Sequence, residues 1–125
     1  MGEASPEVQR ALTTDLTIDI TTIGRRSGKP RRIEIWFLNV DGRVYITGTP
    51  GPRDWFANVS ADPNIVFHLK ESVQADLPAV ATVVNIAAER RRVCDATASR
   101  WYIDNSSLEA MVQTAPMVRV NFVGS

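Results

Sequence analysis

The chain has 125 residues, 44% of them apolar, with 14 acidic and 14 basic side chains and a single cysteine, Cys94. That size and composition suit one domain spanning 1–125 and argue against intrinsic disorder. The cancelled charge gives no global pull toward nucleic acid or membrane, one cysteine excludes an internal disulfide or a thiolate metal cage, and no run approaches the roughly 20 apolar residues of a membrane span.

Residues 1–15 lack the apolar core of a signal peptide, and Pro6 stands where myristoylation needs Ser or Thr. The expected location is the cytoplasm. Ser5-Pro6-Glu7 reads as a helix cap, a proline at the first helical position and an early acid, which predicts a short helix to about Leu12. Leu16 to Ile23 alternates and is rich in Thr and Ile, the pattern of a half-buried strand. A second strand is expected from Arg32 to Val40, with Ile33, Ile35 and Phe37 on one side and Glu34, Trp36 and Leu38 on the other. Asp41-Gly42 signals a two-residue hairpin, and Arg43 to Thr49 is the returning strand.

Pro50-Gly51-Pro52 ends the strand, and Asp54 to Val59 predicts one or two helical turns. A loop at Ala61-Asp62-Pro63-Asn64 leads to an alternating strand, Ile65 to Lys70, and a β-branched run follows over Ala79–Ile86. Ala87 to Arg100 reads as one helix, Ser106 or Ser107 caps a last short helix through Val112, and Met117 to Val123 closes as a strand. About six strands arrive mainly as hairpin partners. The fold class is therefore mainly β with peripheral helices (α+β), an antiparallel sheet or small barrel. Neither GxGxxG nor GxxxxGK[ST] occurs.

Charge is concentrated in one place. Arg25, Arg26, Lys29, Arg31 and Arg32 crowd the turn between the first two strands, with Ser27, Gly24 and Gly28 among them. Guanidinium groups offer paired donors to phosphate or carboxylate, and glycines let backbone amides approach an anion. A solvated hairpin tip explains the same composition. If Arg31 and Arg32 begin a strand they face opposite ways, so only part of the cluster can line one pocket. Aromatics interleaved with the bases are missing from the turn, which disfavours nucleic acid.

Trp36, Trp55 and the Trp101-Tyr102 pair are the large aromatics outside obvious core positions, and Trp36 could wall a flat ring. His68 reads as a surface histidine, because a second His and further Cys for a zinc site are absent from the sequence. Cys94 reads as a small buried apolar residue. The residues offer no acid/base pair, so any hard chemistry falls to a bound cofactor.

The stretch from Leu16 to Lys70 resembles the deazaflavin-dependent nitroreductase family, split β-barrel proteins that use coenzyme F420. The resemblance rests on Thr21-Thr22-Ile23-Gly24-Arg25-Arg26-Ser27-Gly28, Pro30-Arg31-Arg32, the Asp41-Gly42 hairpin, Trp55-Phe56-Ala57-Asn58 and Ala61-Asp62-Pro63-Asn64. It implies that Arg25, Arg26, Ser27, Arg31 and Arg32 seat the cofactor's phosphate and oligoglutamate tail. It implies further that the backbone along Ile33, Ile35 and Trp36 and around Thr47, Gly48 and Thr49 borders the deazaflavin ring. Trp55 and Asn58 would shape the pocket wall, and Tyr102 is the local candidate for the substrate side. The implied activity is hydride transfer from reduced deazaflavin to a small electron-poor acceptor such as a quinone, enone or nitro compound.

The chain departs from the family where Gly48-Thr49-Pro50-Gly51 replaces the frequent Ser-Lys-Gly-Gly, removing a cation, and the loop before Trp55 is shorter. Those departures keep a second reading open: a binding module on the same scaffold, holding FMN, a lipid or another anion. A homodimer is compatible with either reading, and nothing indicates membrane association.

Overall fold

The computed structural model describes residues 5–123. The first helix, α1 (Pro6–Thr14), starts as its sequence dictates: the Ser5 hydroxyl accepts the Val8 N–H at 3.3 Å, and Pro6 occupies the first turn. Then come β1 (Thr17–Ile23), β2 (Pro30–Trp36), β3 (Leu38–Val40), β4 (Arg43–Thr47), α2 (Asp54–Ala61), β5 (Asn64–Leu69) and β6 (Ala75–Val83). The chain finishes with α3 (Ala87–Asp95), a 3₁₀ turn (Thr97–Ser99), α4 (Arg100–Asp104), α5 (Leu108–Thr114) and β7 (Met117–Phe122). No described helix is long and apolar enough to cross a membrane.

The seven strands form one antiparallel sheet in the order β2-β1-β5-β6-β7-β4-β3. Its two edges, β2 and β3, are consecutive in the chain and separated only by Phe37. A flat sheet cannot place them so close, so the sheet curls into a split barrel. The single strand expected over Arg32–Val40 is thus two strands. Phe37 is the joint: its N–H donates to the Leu16 carbonyl at 3.0 Å, and its ring packs edge-to-face on Phe67. Beyond the joint Leu38 pairs with Tyr45 instead of continuing along β1. Asp41 (φ 54°) and Gly42 (φ 82°) make the expected hairpin turn with both central residues left-handed.

Strand alternation builds two cores. Ile18, Ile20, Phe67, Val44, Ile46 and Val118 face inward, covered by Ala11 of α1 and by Trp55 and Val59 of α2. Tyr45 and Met117 point the other way and pack with Val93, Cys94 and Met111 beneath α3 and α5. Arg90 fastens this second layer. Its buried guanidinium donates to the carbonyls of Val84, Met111 and Ala115 at 2.7–3.0 Å, and to that of Val112 through Nε. The charge thereby caps the last turn of α5.

Two boundaries differ most from the sequence reading. β6 begins at Ala75, where residues 75–78 extend the pairing with β5, and Pro78 with its missing N–H stands at the end of the β7 ladder, its carbonyl accepting the Val123 N–H at 2.9 Å. The helix expected to Arg100 stops at Asp95, where Ala96 turns extended (ψ 147°) and the Ser99 hydroxyl donates to the Val93 carbonyl at 2.6 Å. Local side-chain bonding of this kind competes with the helical ladder. The break redirects the chain and brings Trp101 beside Trp36, ring centroids 5.4 Å apart.

His68 is the plain correction. It is buried, not a surface residue: Nε2 lies 2.7 Å from the Thr21 hydroxyl and Nδ1 2.7 Å from Asp76. It belongs to a polar layer on the outer face of β2-β1-β5-β6, where Asp19 also accepts from Lys70 (2.7 Å) and Arg32 (2.9 Å), and Lys70 reaches Glu34. The Lys70 hydrogen bond, against some desolvation and with help from Arg32, holds the Asp19 carboxyl below its ordinary value of 3.8. A depressed folded-state pKa adds stability above the unfolded value and loses it as pH falls through the folded one. Asp19→Asn should therefore be less stable than the parent at pH 7, and the gap should close as urea melts are repeated downward from about pH 4.

Candidate functional site

The basic turn is shaped by its backbone first. Gly24 N–H donates to the Lys29 carbonyl and Gly28 N–H to the Gly24 carbonyl, both at 2.8 Å, with Gly28 at φ 70°. The Ser27 hydroxyl accepts the Lys29 N–H at 3.1 Å. A Cβ on Gly24 would stand 2.6 Å from the Ser27 hydroxyl, so this tight approach excludes any larger residue without a shift. Asn58 of α2 then clamps the turn to the barrel. Its side-chain oxygen accepts from the Arg25 backbone N–H (3.1 Å) and guanidinium (2.9 Å), and its amide donates to the Thr22 hydroxyl (3.2 Å).

Between the turn, β2 and α2 lies a cavity of about 650 Å³, lined by Gly24, Arg25, Arg26, Ser27, Pro30, Arg31, Arg32 and Ile33, with Thr22, Asp54, Trp55 and Asn58. The five cations do not contribute alike. Arg25 is neutralised in part by Asp54 at 3.3 Å, and Arg32 is committed to Asp19 on the outer face. The side chains of Arg26 and Arg31 have no hydrogen-bond or ion-pair partner among the described residues, and Lys29 does not line the cavity. The register sets Arg31 opposite Thr22 and Arg32 opposite Thr21, which puts them on opposite faces as alternation requires.

A second cavity, about 430 Å³, opens further along β2. It is lined by Ile35, Trp36, Gly48, Thr49, Arg53, Trp101 and Tyr102. Trp36 and Trp101 are 36% and 50% exposed, a solvent-facing aromatic corner in a chain whose other indole, Trp55, is buried. Tyr102 packs edge-to-face on Trp101 at 5.2 Å, and burial pushes its phenol above the ordinary value of 10.0. Its hydroxyl has no hydrogen-bond partner among the described residues and is not fully buried.

A cationic cavity and an aromatic one thus share a single strand. The profile of the F420H(2)-dependent quinone reductase family matches residues 3–121. The chain belongs to this family. Its fold is shared with the conserved hypothetical protein Rv2991 from Mycobacterium tuberculosis (18% identity, TM-score 0.75), over 97% of this chain and 81% of that one. An F420 reductase matches over 97% and 96% (15% identity, TM-score 0.64), and a FAD-binding protein from Mesorhizobium loti over 98% and 91% (14% identity, TM-score 0.67).

Coenzyme F420, the cofactor of this reductase family, fits the donor set. An anionic tail calls for uncompensated guanidinium groups, and those of Arg26 and Arg31 line the first cavity without a partner among the described residues. Most site residues expected from sequence meet at the two cavities: Arg25, Arg26, Ser27, Arg31, Arg32, Ile33, Trp55 and Asn58 at the first, and Ile35, Trp36, Gly48, Thr49 and Tyr102 at the second. Thr47 lines neither; its buried hydroxyl donates to the Pro116 carbonyl at 2.6 Å. Asn58 serves as the clamp on the turn more than as a free wall. Sequence reasoning passed over Arg53, hidden in the Pro50–Pro52 break. Its only signal was a cation four residues after Thr49, where the family's Lys is missing.

Replacing Asn58 with Ala leaves the Thr22 hydroxyl and the Arg25 N–H without a partner. The expected cost is about 1–3 kcal/mol in urea melts. Amide exchange should quicken in residues 24–29 relative to β5, and unchanged exchange there would show that the turn holds without its clamp.

Proposed function

We propose that this protein transfers reducing equivalents from F420H2 to a small electron-poor acceptor, with quinones foremost and enones and nitro compounds as the wider class. The observation that carries this reading is the pairing of a carboxylate-poor arginine cavity with an indole-walled one along β2. In this reading Arg26 and Arg31 hold the cofactor's tail, with Arg25 and Ser27 completing the turn. Ile33 and Ile35, with the backbone around Gly48 and Thr49, would border the ring, leaving the Trp36, Trp101 and Tyr102 side for the acceptor.

The bound cofactor supplies a hydride. The protein supplies position and a proton. β2 fixes the distance between the two cavities, since Ile33 borders one and Ile35 the other. The indoles of Trp36 and Trp101 exclude water from an apolar ring. Tyr102, protonated at neutral pH as any phenol is and with no hydrogen-bond partner among the described residues, gives its phenolic proton to the acceptor's oxygen and regains one from water. A quinone that gains a hydride and this proton leaves as the hydroquinone, so electrons and protons balance.

Two measurements test the reading. In a fluorescence titration with F420, the double variant Arg26→Glu/Arg31→Glu should bind at least roughly tenfold more weakly than the parent, and added salt should narrow the difference. Its melting temperature should hold, because neither side chain bonds to the described residues. Equal affinity would remove the tail from this cavity. In steady-state quinone reduction, Tyr102→Phe should lower kcat by roughly 10²-fold while F420 affinity is kept. A Tyr102→Phe variant with full kcat would assign the proton to solvent.

A further inference from the structure

The second cavity contains a fixed cation. Arg53 directly precedes α2, and the turn from Gly48 to Pro52 folds around its guanidinium. Nη2 donates to the Thr49 carbonyl at 3.0 Å and lies 3.1 Å from the Thr49 hydroxyl, while Nη1 donates to the Pro52 carbonyl at 3.2 Å. A Cβ on Gly48 would stand 3.4 Å from Nε and Nη2, and one on Gly51 would stand 3.2 Å from Nη1. The guanidinium is packed against two glycines, and larger residues there would crowd it.

Its partners are all neutral. Among the described residues no carboxylate lies within ion-pair distance of Arg53, whereas Arg25, Arg32, Arg91 and Arg119 each have one. An arginine held in place only by neutral oxygens keeps donors and charge for a ligand. The surface around it is aromatic: Trp36, Trp101 and Tyr102 line the same cavity. Indole walls favour a planar ring, and the guanidinium favours an anionic oxygen on its edge.

We propose that this cavity selects planar aromatic ligands that carry an ionised oxygen, with the ring against Trp36 and Trp101 and the oxygen on Arg53. Hydroxyquinones are the fitting class. That such a ligand is the hydride acceptor rests on the function proposed above; that it binds here does not, and the test needs no turnover.

The probe pair is 2-hydroxy-1,4-naphthoquinone, ionised at neutral pH, and 1,4-naphthoquinone, the same ring without the charge. Calorimetric titration of the parent at low salt should favour the ionised ring by about tenfold, since charge-assisted hydrogen bonds are roughly twice as strong as neutral ones. Arg53→Gln should bring the ratio close to one, and Trp101→Ala should weaken both rings together. If Arg53→Gln unfolds the turn, the parent alone still decides: its preference for the ionised ring should shrink as salt is raised. Equal affinity of the parent for both rings, or no binding of either, overturns the proposal. Displacement of the hydroxyquinone by saturating F420 also overturns it, because a ring bordered by Ile35, Gly48 and Thr49 would then fill the cavity and leave no open side at Trp36, Trp101 and Arg53. Loss of F420 binding in the Arg26→Glu/Arg31→Glu variant bears on the first cavity only, so the two readings fail separately.

Discussion

Phe37 is the joint on which the rest of the structure depends. It ends β2 at one edge of the sheet and releases β3 at the other, one residue later. The chain can do this only if the sheet curls until its edges meet. Burial of the Phe37 ring against Phe67 and the hydrogen bond to Leu16 hold the joint in place. The consequence for function is direct. The end of β2, with Ile35 and Trp36, is carried next to the Gly48-Thr49 turn that follows β4. Neither segment neighbours the other in the ladder of hydrogen bonds, so only the curl puts them at one cavity.

The arginines show how a fold divides a uniform run of charge. Five cations sit within one short stretch of chain, yet the strand's alternation sends Arg32 outward to Asp19 and Arg31 inward to the cavity. Asp54 takes a share of Arg25, and Asn58 ties the turn down. The guanidinium groups of Arg26 and Arg31 are left without a partner among the described residues, whereas the Gly24 N–H and carbonyl are spent inside the turn. Buried Arg90 shows the opposite use of the same side chain: its donors are spent on carbonyls of the fold, leaving none for a partner. Arg53 stands between these extremes, fixed by neutral oxygens and without a counter-ion among the described residues.

The chain belongs to the F420H(2)-dependent quinone reductase family, and in the proposed reading its two cavities serve one cofactor and its acceptor. A cofactor with an anionic tail and a flat ring needs two unlike environments at a set separation, and a rigid strand provides it. The family supplies the hydride chemistry through its cofactor. Around the second cavity Trp101 and Tyr102 come from α4, and Arg53 from the turn before α2.

Much of this was determined by the sequence alone. Alternation in Leu16–Ile23 and Ile65–Lys70, the Asp41-Gly42 turn and the Ser5 cap are local rules, and local rules act before any tertiary contact forms. The basic turn and the Trp55–Asn58 element were legible for the same reason, as short ordered strings. The tertiary structure decided what depends on distant partners. Whether Arg32–Val40 is one strand or two turns on which strand lies alongside, and β1 gives way to β4 at Phe37. His68 is buried because Thr21 and Asp76, far apart in sequence, converge on it. Arg53 acquires meaning only once the Gly48–Pro52 turn closes around it and a helix break elsewhere delivers Trp101. Sequence proximity sets the menu of turns, caps and strands; which charges end up paired and which stay free is a matter of three-dimensional distance, because Coulomb and hydrogen-bond energies act through space and not along the chain.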